Sequence, residues 1–502
     1  MKNLIEISAI VTKKKVRKIE IFDDNALKNK NSKFNEFYEA LLAGKFKNDR
    51  DASMFLYNCT PTDDKYRQLK SRFRKRLLNT LFFLDVNTPA TSNYDRAYFT
   101  CNKEWTLVKI LMANGAIHTA ADQASQILTI ALKFKFADII VNCASILRKY
   151  AAETGDEKLY EDYDQNIKQF AHILDAEIRS EELYQRVVMH YYKSASKNIE
   201  LKEKIDIYCD ALVGLSETYE SPVIIYNMYL VWAFRFEMLQ DYGGMLEVCE
   251  KAENYIEQNP LYYQDDKLAT FQLKKMAAFL HLRDYKRGRA NAEKCLANIT
   301  EGSDIWYTFM EYYLLLAMHT ENFINAFAIF NKAINNTKFK KLTSEEKEKW
   351  NIYEVYLNYI VEINEGNAVF QAQRRKSFKL QRFLSDPILF PKEERIFTIH
   401  LVIAQIIYNL ERKNYNLMGE SIERLKNYAN RQLKAEDYFR TIQFIRLLQQ
   451  LVKSDYKEAE FTTVDKYYAR LQQTPFFYRG LLHELEIIPY EKLWDMIVVR
   501  LK

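Results

Sequence analysis

The sequence predicts an all-α protein: an α-solenoid of antiparallel helix pairs, preceded by a small basic N-terminal module in which a β-hairpin is expected. Three observations lead there. With 11 glycines and 8 prolines in 502 residues, the chain has about a third of the ~12% Gly plus Pro of an average protein. Few sharp turns can be built, and long helices with short connections remain. The length exceeds the ~250 to 300 residues at which a single core stops growing, so several domains or an elongated array is required. Finally, "LQDYGGMLEVCEKAE", "LRDYKRGRANAEKCL" and "HTENFINAFAIFNKAI" repeat one skeleton at spacings of 43 and 38 residues.

Residues 4–11 and 16–22, "LIEISAIV" and "VRKIEIF", are rich in β-branched side chains around "TKKK" and form the expected strand pair. Three helices follow, in "KFNEFYEALLAGKF", "DRDASMFLYN" and "DDKYRQLKSRFRKRLLNTLFFLD". In the third, Tyr66, Leu69, Phe73, Leu77, Leu81 and Leu84 recur at three and four, an apolar stripe on one face. Residues 1–90 carry 19 Lys or Arg against 11 Asp or Glu, so the net +6 of the chain originates there. The basic groups Lys13, Lys14, Lys15, Arg67, Lys70, Arg72, Arg74, Lys75 and Arg76 are candidate contacts to DNA or RNA phosphates. A solvated helix surface and an acidic protein partner are the competing readings.

Residues 91–219 read as a helical segment of degenerate repeats, with "KFKFADIIVNCASILRKYAAETGD" a faint copy. Across 220–365 the echo is strongest. Tyr242, Tyr285 and Phe323 anchor it, each preceded by Asp241, Asp284 or Asn322. Asp and Asn accept bonds from the free amides that open a helix, so each marks the turn into a second helix. Three residues after each anchor stand Met245, Gly288 and Ala326, and seven later Ala252, Cys295 and Ala333, on one face where backbones approach closely. Weaker copies surround Tyr415 and Tyr456 in 397–502, and the spacing of 92 before Tyr415 leaves room for a degenerate copy. Ordering ~38 residues costs on the order of 57 kcal/mol, against about 1.5 to 3 kcal/mol per buried large side chain, so a lone pair would not stand.

The aromatic past the turn, the small residue three later and another seven beyond that resemble the tetratricopeptide repeats. The longer period, Met245 at a small-residue position and the missing helix-ending prolines depart from that family and imply longer helices. The resemblance implies a groove lined by the first helix of each pair, at positions 15, 12, 8, 5 and 4 before the anchor. It assigns Asn227, Leu230, Phe234, Glu237 and Met238, then Thr270, Leu273, Ala277, Leu280 and His281, then Thr308, Glu311, Leu315, Met318 and His319. These are mostly apolar and lack the Lys and Asn of the family's clamp for acidic chaperone tails. The implied occupant is an amphipathic helix or an extended peptide.

Residues 366–396 break the helical run with two prolines and basic residues among aromatics, including Arg374, Arg375, Lys376, Phe378, Lys379 and Arg382, a second possible nucleic-acid contact. The C-terminal "LLHELEIIPYEKLWDMIVVRLK" is apolar enough to dock as a cap.

No phosphate-cradling loop occurs, the seven histidines stand apart, and "HELE" lacks the second histidine of a zinc site. Six cysteines lie 40 or more residues apart, a spacing of core packing rather than metal or redox pairs. No window approaches ~18 apolar residues and no export signal is read. The expectation is therefore a cytoplasmic, cofactor-free, non-enzymatic scaffold or regulatory adaptor binding a protein or peptide. The alternative is a regulator gripping nucleic acid through residues 1–90.

Overall fold

The computed structural model describes residues 4, 33–46, 48–81, 92–191, 199–373, 378, 380–385, 395–435, 437–457, 463–480 and 485–501. Among them every regular element is a helix. The strand pair expected over 4–11 and 16–22 lies outside the described residues except for Leu4, which is helical and buried; no strand supports the hairpin. Lys13, Lys14 and Lys15 lie outside them too.

The chain divides into two compact units, Met1–Ala171 and His172–Lys502. In the first, α1 (Lys33–Leu42), α2 (Asp49–Tyr57) and α3 (Asp64–Leu81) close a small core. Phe37, Tyr66, Phe73 and Leu77 fill it, with Phe37 and Phe73 rings 4.7 Å apart. Four residues of the predicted stripe, Tyr66, Leu69, Phe73 and Leu77, meet this core. Next come α4 (Asn93–Ala113), α5 (Ile117–Phe134) and α6 (Ala137–Thr154), each packed on its neighbour in sequence. The unit boundary falls inside α7 (Glu157–Tyr191).

The second unit continues with α8 (Ile199–Thr218), α9 (Pro222–Met238), α10 (Tyr242–Gln258), α11 (Asp265–Leu282) and α12 (Tyr285–Leu296). Then follow α13 (Asp304–His319), α14 (Phe323–Ile334) and α15 (Ser344–Ile363). Among the described residues after Gly366 stand two short helices, α16 (Ala368–Gln371) and α17 (Leu380–Ser385). Phe378 packs there on Phe383 and Tyr408, while Arg374, Arg375, Lys376 and Lys379 lie outside the described residues, as does the Arg382 side chain. The chain ends with α18 (Arg395–Glu411), α19 (Tyr415–Gln432), α20 (Phe439–Lys453), α21 (Val464–Gln473) and α22 (Tyr490–Leu501).

One turn recurs where helices reverse. Gln240, Arg283, Glu321 and Lys413, each two residues before an anchor aromatic, adopt left-handed φ values of 53 to 59°. The following N–H then reaches back five residues, as Asp241 to the Phe236 carbonyl (2.9 Å), Asp284 to Phe279 (3.1 Å), Asn322 to Ala317 (2.8 Å) and Asn414 to Asn409 (2.9 Å). This is the bonding of a Schellman cap, which satisfies the last carbonyls of the first helix. Asp241 and Asp284 then cap the second helix, accepting from the amides of Gly244 (2.9 Å) and Arg287 (3.0 Å). Asn322 and Asn414 make no such side-chain cap.

The six small-residue positions are buried: Met245, Gly288, Ala326, Ala252, Cys295 and Ala333. A Cβ at Gly288 would stand 2.3 Å from Leu316 Cδ2 on α13, so this glycine sets how closely α12 approaches α13. Cap helix α22 buries Tyr490, Leu493, Trp494 and Ile497. Among the described residues no helix is long and apolar enough to cross a membrane.

Candidate functional site

Three polar residues predicted for the groove, His281, Glu311 and His319, meet in the second unit on a segment that the sequence did not mark as a ligand. Residues 474–480, "TPFFYRG", leave α21 without forming a helix. They lie against side chains from α7, α11, α13 and α15.

His281, on the last turn of α11, holds the segment by its backbone. Its Nδ1 lies 2.6 Å from the Ala277 carbonyl, and because a carbonyl only accepts, Nδ1 carries the hydrogen. Nε2 is then the acceptor for the Tyr478 N–H at 2.9 Å. The ring is sandwiched between Tyr242, at 4.2 Å, and Phe476, at 5.4 Å. Burial holds this imidazole neutral, its pKa lowered to about 4.

Glu311 on α13 supplies the anchoring charge. Its Oε1 accepts from the hydroxyls of Tyr478 and Tyr353 and pairs with Lys349 of α15. Tyr478 has no exposed surface, and burial followed by the Glu311 charge raises its phenol well above the usual range. Arg479 turns the other way, donating to the Tyr191 carbonyl at the end of α7 (2.6 Å) and lying 5.0 Å from that residue's ring. The Tyr191 hydroxyl donates to Glu237, which also binds Lys274 at 3.0 Å.

His319, at the end of α13, has the opposite tautomer from His281. Its Nε2 lies 2.6 Å from the Glu486 carbonyl and therefore carries the hydrogen. Phe476 packs 4.7 Å from its ring, and burial lowers its pKa to about 3. Arg440, on α20, fastens both ends of the segment. It donates to the carbonyls of Leu471 and of Thr474, the segment's first residue, and to the carboxylates of Glu486 and Glu491 beyond it.

The remaining groove residues divide by chemistry. Leu230, Phe234, Met238 and Leu315 are buried between helices, and Leu273 is half-buried. Asn227 donates to Ser180 (3.0 Å), while the Thr270 and Thr308 hydroxyls bond to carbonyls of their own helices. His281 and Glu311 thus come together on one peptide, with His319 beside it. Tyr191, Lys349, Tyr353 and Arg440 belong to the same arrangement, and no repeat position pointed to them. The available signal was "TPFFYRG" itself, three aromatic residues in a stretch bounded by Pro and Gly.

On α3, Arg67, Arg72, Arg74 and Lys75 are exposed, whereas Lys70 pairs with Asp49 at 2.6 Å and Arg76 lies over the Phe34 ring at 5.0 Å. All six cysteines are free thiols, and burial pushes Cys143, Cys209, Cys249 and Cys295 up to about 12. Among the described residues no cluster of His, Cys, Asp and Glu is arranged to hold a metal. No family model, curated protein or solved structure matches the chain.

Proposed function

We propose that this chain is a cytoplasmic, non-enzymatic scaffold or regulatory adaptor, an α-solenoid of divergent tetratricopeptide-like helix pairs whose inner face holds a peptide. The observation that carries the reading is the grip on 474–480. Two side chains, His281 of α11 and Glu311 of α13, and the Tyr191 carbonyl at the end of α7 take a non-helical segment by one backbone amide, one phenol and one guanidinium. Buried polar groups of this kind discriminate strongly, because a ligand lacking the matching group leaves them unpaired. A partner would present the same chemistry, aromatic rings followed by arginine, and take the place of the chain's own segment.

The test is fluorescence anisotropy of a labelled peptide, TPFFYRG, on the full chain. Arg479→Ala, and Tyr478→Ala where circular dichroism shows the helices intact, should raise peptide affinity over wild type. Adding Glu311→Gln should weaken it about tenfold, the loss of one charge-assisted bond. Absence of saturable binding by the folded variants dismisses the reading.

The exposed arginines of α3 favour a second reading, nucleic-acid binding through the N-terminal module. Retention in a gel shift at low salt, lost on reversing Arg72, Arg74 and Arg76 to Glu, is its expected result; no retention by wild type removes it.

A further inference from the structure

The grip on residues 474–480 turns on one proton. His281 donates from Nδ1 to the Ala277 carbonyl and accepts the Tyr478 N–H at Nε2, 2.9 Å away. Both ring nitrogens are committed, and only the neutral ring fits. A proton on Nε2 would set one N–H against another with no acceptor between them. The closed seat and the imidazolium therefore exclude one another.

The surroundings do not compensate a charge on this ring. It is stacked between Tyr242 of α10 and Phe476 of the segment, with Phe477 6.1 Å away. The charge that acts on it comes from Glu237 of α9, a carboxylate already held by Lys274 of α11 and the Tyr191 hydroxyl of α7. Glu311 of α13 is paired with Lys349 of α15, and the segment itself brings a further cation, Arg479. His319 of α13 keeps its Nε2–H on the Glu486 carbonyl, and Arg283, in the turn from α11 to α12, acts on it as another positive charge. In the closed seat the His281 pKa is accordingly lowered to about 4, whereas a ring released into water titrates at about 6.5.

We infer that His281 makes the seat a proton-released clasp, which holds a peptide by its backbone amide at neutral pH and lets it go in mild acid. The chain's own 474–480 and a partner's segment that offers the same amide meet the same gate. The partner half of this rests on the peptide reading above, and the release of the chain's own segment does not. The direction follows from linkage: below pH 6.5 the released state takes up a proton that the closed state refuses, so opening grows as pH falls. Between pH 7 and pH 5.5 the opening equilibrium should rise about eightfold.

Hydrogen–deuterium exchange of the full chain at the two pH values, corrected for the intrinsic rate at each, reads this opening at the Tyr478 amide. Its protection should fall about eightfold. The amides of Leu314, Leu315 and Leu316, fully buried in α13, should stay more protected than Tyr478 at both pH values, which marks local release rather than unfolding. His281→Gln offers an amide nitrogen to the Ala277 carbonyl and an amide oxygen to the Tyr478 N–H without titrating in this range, and should remove the pH dependence. His281→Asn takes its place if circular dichroism shows the first variant misfolded. A labelled peptide that fails to bind, with the fall in protection intact, would remove the partner and leave the clasp. Unchanged wild-type protection at pH 5.5, an undiminished fall in the folded variant, or α13 amides that exchange as readily as Tyr478 overturns the inference.

Discussion

Mild acid should loosen the second unit through three buried histidines. His281, His319 and His400 are buried neutral, and burial lowers their pKa values to about 4, 3 and 4 from 6.5. Arg283 and Arg440 add to the effect at His319, while Glu237 opposes it at His281. The sign follows from linkage. A histidine whose folded pKa is depressed contributes its full stability above pH 6.5, because neither state is then protonated. As pH falls below 6.5 the unfolded chain takes up protons that the folded chain refuses, and stability is lost. Between pH 7 and pH 5.5 each group loses about 1.2 kcal/mol, so the three together lose about 4 kcal/mol. Glu411 and Glu486, whose pKa values are raised mainly by burial, act with the opposite sign and return part of this as they protonate.

The assay is urea unfolding at the two pH values, followed by the fluorescence of Trp306, Trp350 and Trp494, all buried in this unit. His400→Gln removes one titrating group and should reduce the pH dependence by about 1.2 kcal/mol. Equal stability at pH 7 and pH 5.5, or an undiminished difference in the variant, would refute the burial argument.

Two further outcomes concern packing. Arg440→Met strips the buried carboxylate of Glu486 of its guanidinium and should destabilise the second unit by about 3 to 5 kcal/mol at pH 7, measured by the same unfolding. The deficit should shrink as pH falls, because burial raises the Glu486 pKa and favours its neutral form. Gly288→Ala places a Cβ 2.3 Å from Leu316 Cδ2 and should cost about 1 to 3 kcal/mol as α12 is forced from α13, whereas Gly214→Ala, with open space around it, should stabilise its helix slightly.

Much of the architecture was legible in the sequence because its determinants are local. The shortage of Gly and Pro left helices as the economical choice, and Asp241, Asp284 and their aromatic successors marked turns whose left-handed residue lies one position earlier. The short helices after Gly366 were legible only as a break, since two prolines say where a helix stops but not what replaces it. The expected N-terminal hairpin has no support among the described residues, which include only Leu4 of its two runs, and Leu4 is helical.

The site divides along the same line. By itself the sequence assigned Glu237, His281, Glu311 and His319 to the first helices of successive pairs, which the structure forms as α9, α11 and α13. Only the tertiary structure decided what meets them. The bond from the Tyr478 amide to His281 spans 197 residues, and a contact between partners so far apart leaves no periodicity to read. The tautomer of His319 and the charge pairing of Arg440 depend in the same way on Glu486, 167 and 46 residues away in sequence. They follow from which carbonyl or amide the fold brings within 3 Å, which is a property of packed surfaces rather than of any stretch of chain.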